Sequence, residues 1–404
     1  MAILYLTEQQ AWVGREGECL IVHIPERNED SANKGKRERK TTVPLFKVEE
    51  VMVLGDITLT TPALASLLDA KVPITYLSRH GRYLGSLNPS LSRNSLLRLA
   101  QHAAYSDATR QHALAQRFVV GKLRNMRTLL MRYQRSHTEV HLEKQLESLK
   151  RCIRAAEQTS YTVKMAQENG EIAHKLVSEA ISNDHIHIQE EFLPEEKPTG
   201  SIQETLQEET TGESAVDRMH GLGPLLGCEG AGSAAYFQAF GQLILCGWPH
   251  GFTKRVRRPP TDPVNSLLSY GYVILTAQVA AVLASVGFDP YIGYLHASRY
   301  GKPALALDLM EEFRPLIVDS VVLGLLNNRQ LEPKDFLQEL NSFRMTDATK
   351  RLFLQKFEDR MQEIIVHPVF GYKVAYRRCI ELQARLLGKY LTGEVSAYTP
   401  FAVR

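Results

Sequence analysis

Between Tyr294 and Pro315 the chain reads YLHASRYGKPALALDLMEEFRP. One histidine, His296, stands on a short loop marked by glycine and proline. Twelve residues later comes Asp308, followed by the adjacent pair Glu311 and Glu312. An imidazole with several carboxylates suits a hard divalent cation, Mg²⁺ or Mn²⁺, better than zinc. The reason is charge. Asp308 lies within one helical turn of both glutamates, and like charges sharing a face repel unless a cation sits between them. The competing reading is a solvated acidic helix face.

For these acids to meet, the segment after Pro303 must be helical. Ala, Leu and Met supply propensity there, and Leu305, Leu309 and Phe313 form an apolar face, which predicts one helix over 304–328. A further acid, Glu229, lies between a glycine-rich turn and a helix in GLGPLLGCEGAGSAAYFQAF, Gly221 to Phe240. Those glycines form neither a Walker loop nor a dinucleotide fingerprint; they suit close helix packing around Glu229. Tyr236 follows two turns later, placed either to touch a scissile phosphate or to fill the core. The basic run Lys254, Arg255, Val256, Arg257, Arg258 precedes PPTDPVN and must be a loop, since those prolines cannot continue a helix. A basic loop before a helix N-terminus is a candidate phosphate contact. Asn265 opens the helical segment Ser266–Ser285, and Arg314, three residues past Glu311, has the fork to meet a phosphate oxygen.

The Glu229 segment, the distant His296 to Pro315 stretch and RRPPTDPVNSLLSYGYVIL (Arg257 to Leu275) together resemble the CRISPR-associated integrase/endonuclease family, the large subunit of the spacer-acquisition complex. The resemblance covers most of the chain. It implies an α+β fold, with a small β-rich domain at residues 1–90 for dimerisation and docking and a large all-α catalytic domain at 91–404. It implies Glu229, His296 and Glu311 as metal ligands, Glu311 being chosen over Glu312 because the family's acid falls three residues after the aspartate. Asp308 matches the additional acidic position, able to orient Glu311, bind a water on the ion or become a ligand in another state. Asn265 is implied as a supporting group behind the metal. The activity implied is insertion of spacer DNA into a CRISPR array, a 3′-hydroxyl attacking a phosphodiester; with water instead, the same site is a nuclease. Implied partners are the spacer precursor, the leader-repeat DNA, a second copy of the chain in a homodimer, and a small ferredoxin-like subunit.

The rest of the chain fits around this. Its 404 residues suffice for two domains. Short β-branched runs predict strands at Ala2–Leu6, Glu18–Ile24, Val51–Leu54, Val72–Leu77 and Arg82–Leu87, with a helix at Thr61–Ala70 started by Pro62. The charged stretch Glu26–Lys40 reads as a disordered hairpin tip rather than a DNA contact. Helical period takes over with Ser92 or Asn94 as cap, then runs through Arg98–Tyr133 and His137–Thr159. Arg117, Lys122, Arg124, Arg127, Arg132 and Arg135 there form either a phosphate-tracking stripe or a solvated face. Lys334–Tyr390 reads as helical, and the tail TGEVSAYTPFAVR as draped over a neighbouring surface.

Net charge is +3, but residues 183–215 hold nine acids and one lysine, leaving +11 on the remainder. A basic body suits a polyanion partner. The acidic stretch reads as a linker or long loop and departs from the family's shorter connection. Five scattered cysteines without a CxxC pair indicate neither a disulfide framework nor structural zinc. One well-placed histidine and no HExxH argue against a zinc hydrolase. No window approaches a membrane span and the N-terminus is too polar for a signal peptide, so a cytoplasmic protein is expected. Two rival functions remain: a nuclease of branched DNA that never joins strands, and a non-catalytic DNA-binding scaffold.

Overall fold

Two β-sheets built from the first ninety residues form one end of the molecule in the computed structural model. It describes residues 2–25, 38–79, 81–89, 94–160, 221–248, 251–256, 259–297, 300–340 and 342–403. Strands β2 (Trp12–Glu16), β3 (Cys19–Pro25), β4 (Glu38–Pro44) and β6 (Thr58–Leu59) make a sheet of order β4-β3-β2-β6. Strands β1 (Ala2–Leu6), β5 (Val48–Leu54), β7 (Ile74–Leu77) and β8 (Tyr83–Leu87) make the second, of order β1-β5-β7-β8. In the second, β1, β5 and β7 run parallel, and parallel neighbours need crossovers. Strands β2, β3 and β4 lie in the β1-to-β5 crossover, and β6 with helix α1 (Thr61–Asp69) makes the crossover from β5 to β7. Sequence patterning misses β2, β4 and β6. Only Val13 of β2 is buried, and β4 carries the charged residues Glu38 to Lys40 on the sheet edge. The last residues of the charged stretch are therefore strand; its remainder, 26–37, lies outside the described residues, as does the acidic stretch 183–215.

Alternation along β5 ties this end to the helices. Val51 and Val53 face the β-domain core, while Met52 and Leu54 join the helical core. The helices are α2 (Ser95–Ser106), α3 (Ala108–Ser136), α4 (Glu143–Gln158), α5 (Gly223–Phe240), α6 (Pro263–Val286), α7 (Ala304–Met310), α8 (Ser320–Asn327), α9 (Asp347–Gln362) and α10 (Tyr376–Leu391). The amphipathic run expected over 98–133 is two helices, because the Asp107 side chain caps α3 by accepting from the Thr109 and Arg110 amides. Asn94 caps α2 through the Leu97 amide at 3.1 Å. α6 begins at Pro263, with Asp262 accepting from the Asn265 amide.

Three expectations are corrected here. The helical part is not all-α: antiparallel hairpins β9 (Phe336–Glu339)–β10 (Ser342–Met345) and β11 (Ile364–Val366)–β12 (Lys373–Ala375) interrupt Lys334–Tyr390. The helix expected over 304–328 breaks at 311–313 and continues as a π-helical turn, Pro315–Asp319, before α8. Proline without an amide proton favours such a break. And α6 is long and apolar enough to cross a membrane, with a mean hydropathy of 1.8, contrary to the sequence expectation; 56% of that window is buried inside the protein as a core helix.

Candidate active site

Three acids close in sequence take three directions, so the shared face on which the sequence argument rested does not exist. Asp308 is wholly buried and turns to the 294–296 loop. Its Oδ2 accepts from the Tyr294 and Leu295 amides at 2.6 and 3.0 Å, and its Oδ1 from the His296 amide at 2.9 Å. The same Oδ1 lies 2.8 Å from His296 Nδ1. Since an ionised carboxylate only accepts, the proton is assigned to Nδ1, which leaves Nε2 with its lone pair. Asp308 thus holds His296 and the loop that carries it, and its hydrogen bonds run to that loop. The loop comes this close because position 293 is glycine: a Cβ there would lie 2.6 Å from the Ala304 carbonyl carbon and 2.8 Å from Asp308 Oδ2.

Glu312, also fully buried, points the other way. It accepts from the Tyr398 hydroxyl at 2.7 Å, the Phe401 amide at 2.7 Å and Gln383 Nε2 at 3.1 Å. Burial pushes its carboxyl up to about 8, against those hydrogen bonds. The C-terminal tail that Glu312 receives is therefore packed into its own chain. Asn125 fastens it further, donating to the Phe401 and Glu312 carbonyls and accepting from the Val403 amide.

Only Glu311 enters the site. It meets Glu229, from the second turn of α5, through a residue that the sequence reading put on a surface stripe. The Lys122 ammonium, at mid-α3 and buried, pairs with Glu229 Oε1 and lies 3.0 Å from Glu311 Oε2. Ser233 Oγ donates to Glu229 Oε1 at 3.0 Å. Gly232 brings α5 against α3, since a Cβ would fall 2.4 Å from Leu123 Cδ2. Burial acts to raise both carboxyls, but cations outweigh it. Arg314 and Lys122 hold Glu311 down at about 2, and Lys122 holds Glu229 below the ordinary carboxylate value. A signal for Lys122 was present: Phe118, Lys122 and Met126 repeat at helical spacing, so a lysine interrupts a buried stripe.

Arg314 is buried as well. Its Nη1 lies 3.3 Å from both Glu311 oxygens, and its guanidinium stacks 4.8 Å from the Tyr272 ring centroid. It braces Glu311 and also lines the cleft described below. Tyr236 is a core residue rather than a phosphate contact. Its hydroxyl donates to Asp319 Oδ2 at 2.7 Å, and Tyr272 donates to Oδ1 at 2.6 Å. Asp319, a lone acid in the apolar run PLIVDSVVLGLL, escaped the sequence reading. Asn265 bonds to the preceding loop, to Arg255 Nη1, the Val256 amide, the Lys254 carbonyl and Asp262, and so stands behind Arg255 rather than behind the acids. Arg255 also reaches Ser269 Oγ at 2.9 Å and lies over Tyr272. Lys254 is exposed; Arg257 and Arg258 lie outside the described residues.

A cleft of about 1480 Å³ opens onto His296, Glu311 and Arg314, with Arg82, Tyr83 and Arg98 on its wall. The β-domain thus supplies part of the site through β8. Among the described residues no three His, Cys, Asp or Glu side chains converge on one point as they stand. The donor set nevertheless fits a hard divalent ion: two carboxylates, one from α5 and one from the turn after α7, meet at one cation, and an imidazole is oriented through its far nitrogen. Glu311 Oε2 adds to that fit. It is within ion-pair reach of Lys122 and Arg314, yet neither is aligned for a hydrogen bond, so this buried oxygen accepts none among the described residues.

Comparison with known proteins places the chain. The family model described as CRISPR associated protein Cas1 matches residues 4–171 and 159–359. A Thermus thermophilus protein named CRISPR-associated endonuclease Cas1 3 is 35% identical over 100% of this chain and 98% of its own length. A Geobacter sulfurreducens CRISPR-associated exonuclease Cas4/endonuclease Cas1 fusion is 34% identical over 99% of this chain, which spans 60% of the fusion. Among solved structures, a casposase bound to integration product superposes with a TM-score of 0.74 at 20% identity, covering 100% of this chain and 95% of that one. A CAS1 protein from Thermotoga maritima gives 0.67 at 22% identity, with 97% of each chain covered. The chain belongs to the CRISPR-associated Cas1 family.

Proposed function

We propose that this protein is a divalent-metal-dependent DNA integrase and endonuclease that inserts spacer DNA into a CRISPR array. One observation carries the reading: Glu229, from α5, and Glu311, from the turn that follows α7, meet at a single buried cation beside His296, where a basic and aromatic cleft ends. Family relatives named as endonucleases support the nuclease half, and the casposase solved with its integration product, a fold neighbour, suggests the joining half.

Glu229, Glu311 and His296 Nε2 would hold the ion. When bound, a divalent cation neutralises charge developing on the phosphodiester oxygens and favours the ionised nucleophile. The remaining work falls to the chain. Asp308 fixes the imidazole tautomer and holds the 294–296 loop. Arg314 and the Tyr272 ring brace Glu311 from behind. Arg82, Arg98, Arg255 and Lys302 line the cleft and attract the phosphate backbone. In the joining reaction a 3′-hydroxyl forms the new P–O bond as the recipient strand's 3′-oxygen leaves; with water in its place the outcome is cleavage.

The partners proposed are spacer precursor and leader-repeat DNA, a second copy of the chain, and the small ferredoxin-like subunit. Two fold neighbours were solved as Cas6-RT-Cas1–Cas2 complexes, and the exonuclease fused to some relatives makes a processing exonuclease a further candidate. The test is strand transfer. Protein, the small subunit, a short 3′-hydroxyl duplex and a supercoiled leader-repeat plasmid are mixed with Mg²⁺ or Mn²⁺. Joined product, lost in Glu229→Ala, in Glu311→Ala and in chelator, is expected. Nicking without joining would leave a nuclease, and binding unaffected by either substitution would leave a scaffold.

A further inference from the structure

Two acids and two cations share one buried place. Glu229 and Glu311 carry two negative charges, and Lys122 and Arg314 return two positive ones within ion-pair distance. Lys122 is the unusual member. Its side chain is 2% exposed, and its ammonium contacts both acids from α3, a helix that carries no other proposed ligand. Arg314 contacts Glu311 alone of the pair and is held by stacking on Tyr272. A planar, stacked guanidinium stays where it is, whereas an ammonium on a four-carbon stem can swing.

We propose that Lys122 makes ion occupancy of the Glu229–Glu311 pair depend on bound nucleic acid. The inference rests on the metal-site reading above. The argument is charge balance. An acid pair already neutralised by its own chain gives an incoming dication little net attraction, while the ion still has to shed water. The ion must also part Lys122 from both acids, which leaves a buried ammonium beside a second cation. A phosphodiester in the cleft changes both terms. It adds negative charge to the site, and its oxygens offer the displaced ammonium a new partner. Ion and DNA then each tighten the other's binding, by the same factor. In the cell such coupling would keep the nuclease centre unloaded until a strand is in place.

The experiment is a Mn²⁺ titration of the full chain without DNA, followed by the electron paramagnetic resonance signal of the unbound ion. Lys122→Met is expected to bind Mn²⁺ about tenfold tighter or more than the parent, and Lys122→Arg to stay near the parent because the charge returns. Equal or weaker binding by Lys122→Met would overturn the proposal. Glu229→Gln in the same titration separates the two readings. If it abolishes Mn²⁺ binding while Lys122→Met changes nothing, the metal site stands and the role of Lys122 falls. If Glu229→Gln binds Mn²⁺ as the parent does, both fall together. Should Lys122→Met fail to fold, the parent alone still decides. Its affinity for a branched DNA duplex, at fixed ionic strength, is expected to rise about tenfold or more on adding Mn²⁺. No rise would refute the coupling.

Discussion

Glu311 and Glu312 are adjacent yet face opposite sides, because the helix that carries them loses its regular pitch between α7 and the π-helical turn at Pro315. Their substitutions should therefore fail in different assays. Glu312→Ala leaves the Tyr398 hydroxyl, the Phe401 amide and Gln383 without their acceptor. It is expected to lower stability by about 2–4 kcal/mol, read as a fall of several degrees in melting temperature. Glu311→Gln leaves the buried Lys122 and Arg314 with one counter-charge fewer, and its distinguishing effect should be loss of DNA joining and cleavage even at temperatures where the variant is fully folded. Asp308→Asn tests the imidazole. An amide nitrogen facing Nδ1 would force the other tautomer and take the lone pair from Nε2. Metal-dependent cleavage should drop about 10–100-fold with DNA affinity intact; unchanged cleavage would remove His296 from the chemistry.

At the scale of elements, the site depends on three close approaches. α5 reaches α3 at Gly232, the 294–296 loop reaches α7 at Gly293, and the C-terminal tail reaches the 311–313 turn through Glu312 and Asn125. The first can give, because the obstacle is the end of a leucine side chain. The second cannot: a methyl at position 293 meets backbone at Ala304. Gly293→Ala should move the loop that carries His296, costing about 1–3 kcal/mol. Cleavage should fall further than that loss of stability explains. A mutant with full activity and a normal melting curve would show that the loop has room to spare.

For the molecule as a whole, the joint between sheet and helices carries a buried acid. Glu50 on β5 accepts from the Thr75 hydroxyl at 2.9 Å, with Arg377 and Glu358 of the helical part nearby. Burial raises its carboxyl from 4.5 to about 7, the Thr75 bond and Arg377 opposing. A folded value above the unfolded one means that the folded state takes up the proton. The stability this contributes is complete below pH about 4.5 and is lost as pH rises through about 7. Glu50→Gln keeps the neutral form at every pH. Its melting temperature should match the parent near pH 5 and exceed it by several degrees near pH 8, a difference on the order of 3 kcal/mol. A constant offset across pH would mean that Glu50 stays ionised when folded.

What the sequence by itself determined was chemistry with a local signature. His296 on a glycine and proline loop, the acids at 308, 311 and 312, the caps at Asn94 and the strand runs of β1, β5 and β7 are all readable from residue type and short-range spacing. Family membership was legible as well, since its motifs are contiguous. Only the tertiary structure decided which acid faces which partner. The break in regular helix at 311–313 redirects the side chains, and although Pro315 favours a break, it does not say which way each acid will face. It also decided that Lys122, Arg314 and Asp319 are interior. A charged side chain reads as surface unless its partner is known, and those partners lie 107, 3 and 83 residues away along the chain, at Glu229, Glu311 and the neutral Tyr236 hydroxyl.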